Sequence, residues 1–446
     1  MDLCSKTLFA PKAWLRGQLV KNVRFVIDSE GKFEAVETGV EAKDGDLKLE
    51  KKLIIPGFIN CHSHAFHKQM RGSSGIGSKS KTNFWKWRNS MYQIVENITF
   101  DKLYEYCYET FTEMLMAGIT TVGEFHYVHH GNQRFDLDEA VIKAAEDTGI
   151  RLVLIETLYC RSGFTEDPLK PAQKRFASDL SEFQDQVEYL IDLVQDKPNI
   201  TIAVAAHSLR AVNPNIVKEM WQWVKKQNVA FHIHIEEQPK ELEDCVEALG
   251  ATPNEVVLRQ NPDLSELWTL VHCTYTTRSV MARLASNRAN ICVCPLTEGF
   301  LGDGIPDLTE NDQICLGTDC NNRISFVEEM RWLAYCQNVS LKRSKMYKQL
   351  VRCGLVMVKN KRNHANLDAG QLLKIATQNG AKSLALDKVT GDLTSGMAAD
   401  FVVLDLETAT FKRLRDSDCP IDAWIFGGGN SDIAQVFVGG VARFQK

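Results

Sequence analysis

Residues 53–64 read LIIPGFINCHSH. An apolar run rich in β-branched residues ends in two histidines separated by a single residue. Side chains at i and i+2 of a strand point to the same side, so His62 and His64 are expected to converge. Two neutral imidazoles directed at one point make half of a metal site.

The same pattern recurs along the middle of the chain. Strand-like runs are predicted at 58–64, 120–126, 151–159, 201–207, 230–237, 268–274, 289–296 and 313–319. Longer amphipathic stretches lie between them, such as 100–118 and 179–196. Strand alternating with helix implies a parallel sheet, and eight such units can close into a TIM-like β/α barrel. In that architecture the active site lies at the C-terminal ends of the strands. Most of the runs end in His, Glu, Tyr or Asp, as that rule requires.

The chain ends have a different texture. Residues 1–57 hold short alternating runs (VRFVID, KFEAVE, KKLIIP). Residues 391–446 hold ADFVVLD, AWIFGG and AQVFVGGVARF. Both read as small antiparallel β structure. The expected organisation is an α/β chain: a barrel over 58–389 beside a small β-domain built from both termini, 1–57 plus 390–446.

Composition narrows the function. With 44% hydrophobic and 24% charged residues among 446, the chain is a globular protein. A net charge of −5 and the lack of a basic run argue against nucleic acid or an anionic membrane as partner. No stretch is apolar enough to span a bilayer, and the N-terminus lacks a signal-peptide core. Thirteen cysteines without a CxxC pair point to a reducing, cytoplasmic setting. Cys292 and Cys294 read as buried packing residues.

His62, His64, His234 and Asp319 all fall at or near predicted strand ends. Together they suffice to hold one divalent ion, zinc being the expected one, with a position open for water. Glu237 follows His234 by three residues, where a carboxylate can shuttle a proton. The competing role for Glu237, and more so for Glu236, is the first turn of the next helix, where an acid favours the dipole. His272, ending the sixth run, is placed to hydrogen-bond water or substrate. His232 faces the same side as His234 but deeper. Arg88 and Arg210 sit beside predicted strand ends, suited to a carboxylate. Arg88 alternates with Trp85 and Trp87 in a segment read as a loop, either a lid or a loop anchored by its aromatics.

PGFINCHSH, the His234–Glu237 pair, LVHCT, LGTD and the tail GDLTSGMAADFVVLD resemble the amidohydrolase superfamily over nearly the whole chain. HSHAF, FWKWR, EFHYVHH, HSLRAV, IHIEEQPKE and TEGFLGDGI are similar to its N-formimino-L-glutamate deiminase branch. The resemblance implies hydrolysis of a linear amidine, N-formimino-L-glutamate, to N-formyl-L-glutamate and ammonia, a step of histidine breakdown. It implies metal ligands His62, His64, His234 and Asp319, and proton transfer and water activation by Glu237 and His272 with Asp319. It places His67, Arg88, Tyr127, His207 and Arg210 around a small dicarboxylate. A homodimer is the expected assembly. The chain departs from that branch at His67, where Gln is usual, at Cys320 and Asn321, and at Cys273 and Tyr275. Two other readings stay open: a ring deaminase of the guanine deaminase type, and a non-catalytic scaffold on the same fold.

Overall fold

The computed structural model describes residues 1–72, 83–165, 169–352 and 367–446, without side chains at 83–86, 88, 89 and 341–352. All eight predicted strands form. Phe58–Ser63, Ile119–His126, Arg151–Leu158, Ile200–Ala206, Phe231–Ile235, Trp268–His272, Asn290–Val293 and Ile314–Leu316 pair in chain order in one sheet, each neighbour parallel. The ring closes where Ser63 bridges Asp319 in parallel. The backbone N–H groups of Thr318 and Asp319 both donate to His62 O at 3.0 Å, and His64 N–H donates to Asp319 O at 3.0 Å. Gly317 permits this closure, because a Cβ there would stand 2.7 Å from His62 Cβ and 2.9 Å from Cys294 Sγ.

Several strands stop short of their predicted ends for backbone reasons. Glu236, His272, Cys273, Asp319 and Asn321 all have positive φ, so the chain turns out of the sheet there. Strained conformations of this kind gather at functional sites. Pro295 opens the helix Pro295–Leu301 and ends the seventh strand early. The outer helices follow their apolar spacing. In Leu180–Val194, capped by Asp179 accepting from Glu182 N at 2.9 Å, Phe183, Val187, Leu190 and Val194 are buried, which places them on one face.

The termini form a second sheet, as expected, but a mixed one. Thr7–Leu15 pairs antiparallel with Gln18–Ile27 and parallel with Lys52–Pro56. Phe401–Asp405 from the C-terminal segment pairs with Lys52–Pro56. Period-two alternation joins this sheet to the barrel. Phe401 and Val403 face the sheet's own core, with Phe25, Phe33 and Ile54, while Val402 and Leu404 belong to the barrel core. The reading of AWIFGG as β structure is corrected. It lies in the helix Pro420–Gly427, started by Pro420, whose Trp424 stacks on Phe58 at 5.8 Å. The FWKWR segment is likewise not a loop but part of the helix Asn83–Glu96. Among the described residues, no helix is long and apolar enough to cross a membrane.

One buried ion pair spans the two sheets. Arg151 Nε is 2.8 Å from Asp400 Oδ2, and the carboxylate also accepts from Gly439 N–H at 2.7 Å. Removing one member leaves the other charge buried and unpaired. Arg151→Ala should therefore lower unfolding free energy by about 3–5 kcal/mol, measured by urea unfolding. A loss below about 1 kcal/mol, the worth of an exposed pair, would contradict the assignment.

Candidate metal centre and cavity

The closure of the barrel brings the sequence-predicted ligands together. His62 and His64 leave the first strand and Asp319 follows the last. Asp319 Oδ1 lies 3.6 Å from His62 Nε2 and 3.5 Å from His64 Nε2. His234, on the fifth strand, places its Nε2 3.0 Å from that of His62. Donors bound at about 2.0–2.2 Å around a tetrahedral ion stand roughly 3.3–3.6 Å apart, close to these separations.

The donor chemistry also fits a cation. His64 Nδ1 lies 2.9 Å from Phe125 O, and His234 Nδ1 lies 3.0 Å from His207 O. A carbonyl only accepts, so each Nδ1 carries the proton and each Nε2 presents a lone pair to the same point. Burial first, then the neighbouring imidazoles, holds both rings well below the ordinary imidazole range. Burial likewise lowers His62. Burial opposes ionisation of Asp319, yet the hydrogen bond and charge of His62, with His272 and His64, hold it below the usual carboxylate range. Neutral imidazoles and an ionised carboxylate are the forms that bind metal.

His272 and Glu237 stand next to the four. His272 Nε2 is 3.9 Å from Asp319 Oδ2 and 3.9 Å from Glu237 Oε1. Its Nδ1 faces Glu298 Oε1 at 3.4 Å. Burial disfavours charge on this ring, but Glu237, Glu298 and Asp319 push it up to about 10. Burial raises Glu237, against the pull of His272 and Arg210. Neither Glu236 nor Glu237 lies in the first turn of the following helix, which starts at Pro239. Glu236 instead accepts from Asn254 N at 2.9 Å and Thr276 Oγ1 at 2.6 Å. It thus serves the start of a different helix, Pro253–Gln260. His232 is buried one layer down, 3.2 Å from Ser383 O, apart from the four converging side chains.

A cavity of about 260 Å³ opens over the centre. His67, Tyr127, His207 and Arg210 line it, together with His64, His234, Glu237, His272 and Asp319. Arg88 and Trp85 lie outside the described side chains. His67 Nε2 is 2.9 Å from the Tyr127 hydroxyl, and burial lowers the ring to about 3, so it is a neutral hydrogen-bonding group. Its Nδ1 is buried without a hydrogen-bond partner among the described residues. Trp87 packs edge-on against His67 at 5.0 Å. Sequence reasoning missed Glu298, which backs His272 from within TEGF, and the aromatic walls Tyr92, Tyr159 and Phe176. Asn321 proves structural: its Nδ2 donates to Ser63 Oγ at 3.1 Å and His64 O at 2.9 Å.

Residues 53–443 match the family described as Amidohydrolase family. The chain belongs to this family. It is 31% identical over 97% of its length to a formimidoylglutamate deiminase of Pseudomonas aeruginosa, covering 93% of that protein. It is 25% identical over 89% of its length to a 5-methylthioadenosine/S-adenosylhomocysteine deaminase of Acetivibrio thermocellus, covering 82% of it. An amidohydrolase structure from Brucella melitensis superposes with a TM-score of 0.85 at 30% identity, over 98% of this chain and 94% of that one. An adenosine deaminase from Xanthomonas campestris with bound zinc shares the fold, with a TM-score of 0.81 at 19% identity over 98% and 92%. The chain is a hydrolase of carbon–nitrogen bonds.

Taking one imidazole from the cluster tests the centre. His234→Ala should lose most of the divalent metal held at this centre, about one ion per chain less than wild type, because the ligands left hold it less well. Elemental analysis of the purified variant beside wild type checks this, and an unchanged metal content would contradict it.

Proposed function

We propose that this chain hydrolyses the formimino group of N-formimino-L-glutamate, giving N-formyl-L-glutamate and ammonia. The observation that carries this reading is Arg210. Its guanidinium borders the cavity, its Nε is buried with no hydrogen-bond partner among the described residues, and the carboxylates it faces are Glu237, whose Oε2 is 4.0 Å away, and the buried Glu241. A buried, under-used guanidinium fork facing a cavity suits a substrate carboxylate. The likeness to a formimidoylglutamate deiminase supports the same substrate class.

His62, His64, His234 and Asp319 would hold one divalent ion, zinc in our reading. Such an ion acidifies water near neutral pH and acts as a Lewis acid toward the amidine. Water adds its oxygen to the formimino carbon, the bond from that carbon to the terminal nitrogen breaks, and this nitrogen leaves as ammonia. Glu237 does the proton work. Burial keeps its carboxyl able to hold a proton, so it takes one from the attacking water and delivers it to the departing nitrogen. His272, held by Glu298, donates toward the oxygen that gains negative charge. Tyr127, His207, Arg210 and the free Nδ1 of His67 position the glutamate moiety; Arg88 completes the proposed set.

The aromatic walls favour a second reading. Trp87, Tyr92, Tyr127, Tyr159 and Phe176 line the same cavity and would suit a flat ring. Relatives named as deaminases of 5-methylthioadenosine point the same way. An ammonia-release assay with formiminoglutamate, formiminoaspartate, guanine and 5-methylthioadenosine separates the two. Turnover of formiminoglutamate is expected, and turnover of a ring substrate alone would overturn the proposal.

Glu237→Gln keeps shape and removes the titrating group. It should lower kcat by about 10²–10⁴-fold with metal retained, and near wild-type turnover would sink the role. Arg210→Met leaves a substrate carboxylate unpaired. It should depress kcat/KM for formiminoglutamate by an amount equivalent to roughly 2–5 kcal/mol at unchanged metal content. His67→Gln should preserve turnover, because either side chain hydrogen-bonds as a neutral group. If the parent is inactive and this variant gains activity, the native substrate is another molecule.

A further inference from the structure

A second cluster of ligand-type side chains lies outside the cavity, between the barrel wall and its helices. His126 ends the second strand and pairs in register with Glu156 on the third. His129 lies in the turn that follows, and Asp138 opens the helix Asp138–Thr148. All four are buried, three of them completely. Their ligand atoms lie within 4.8 Å of one another. Asp138 Oδ1 is 3.0 Å from His126 Nε2 and 2.9 Å from His129 Nδ1, which is itself 3.2 Å from Glu156 Oε2.

Three features set this cluster apart from an ordinary buried ion pair. First, His129 Nε2 lies 2.9 Å from Thr157 O. That nitrogen carries the proton, and Nδ1 is aimed at the carboxylates. His64 and His234 are anchored to backbone carbonyls in the same way at the first centre. Second, neither oxygen of the fully buried Glu156 has a hydrogen-bond partner among the described residues, although buried polar atoms are rarely left so. Third, in the forms that bind metal, ionised carboxylates and neutral imidazoles, the four would carry two negative charges, which a divalent ion cancels.

We propose that His126 Nε2, His129 Nδ1, Asp138 Oδ1 and a Glu156 oxygen bind a second divalent transition-metal ion, zinc by donor set. Four protein ligands with no solvent access make a closed, structural site. Gln186 Nε2 donates to Asp138 Oδ2 at 2.9 Å and leaves Oδ1 for the ion. The ion ties the second and third strands to the helix behind them. It also pins both ends of the segment carrying Tyr127, a cavity-wall residue.

Elemental analysis of tag-free protein, loaded with excess zinc and then desalted, tests this. Wild type should keep about two zinc per chain, and His234→Ala about one. Glu156→Gln should also keep about one. If that variant does not fold, the His234→Ala result still decides, since its cluster is intact. One zinc in wild type and none in His234→Ala would overturn the proposal. The cluster would then be an imidazolium held between carboxylates.

Discussion

The pairing of the first barrel strand with the last, at Ser63 and Asp319, is the constraint on which the rest depends. It joins residues more than 250 positions apart. Three backbone hydrogen bonds and the Gly317 approach hold it, and Asn60, Thr318 and Asn321 brace it from the side. Asn60 Nδ2 donates to Thr318 Oγ1 at 2.7 Å, and Thr318 Oγ1 donates to Asn321 Oδ1 at 2.6 Å. Without this seam the two histidines of the first strand would have no carboxylate between them. The strained backbone at Asp319 and Asn321 is tolerated because these bonds over-determine it.

From that seam outward, charge is arranged by burial and partner choice. Burial lowers the three candidate ligand imidazoles, and the carbonyls of Phe125 and His207 set the tautomers of His64 and His234. One ring away, His272 is surrounded by carboxylates and is driven the opposite way. Imidazoles pushed in opposite directions thus stand within one site, the combination our proposal uses for holding a metal and for supplying a proton. Glu237 stands between His272 and Arg210, where our proposal sets proton transfer beside substrate binding.

The barrel was legible in the sequence because its strands are buried on both faces and read as continuous apolar runs, such as RLVLIETL. The convergence of His62, His64, His234 and Asp319 was legible because strand ends place them, and spacing of two fixes side. Less legible were features set by tertiary packing. AWIFGG has strand composition, yet Pro420 starts a helix and the contact with Phe58 keeps it. Glu236 looked like a first-turn acid, but a positive φ turns it toward another helix. The aromatic walls and Glu298 come from separate loops, which no local pattern connects. The cluster of His126, His129, Asp138 and Glu156 was hidden for the same reason, although EFHYVHH displays half of it.

The central claim is that water attacks the formimino carbon and expels its terminal nitrogen. Turnover of formiminoglutamate in ¹⁸O-labelled water, with mass spectrometry of the products, tests it most directly. The account predicts one labelled oxygen in the formyl group of N-formylglutamate, with ammonia released in equal amount. Free glutamate with labelled formamide, from cleavage of the other carbon–nitrogen bond, would contradict it.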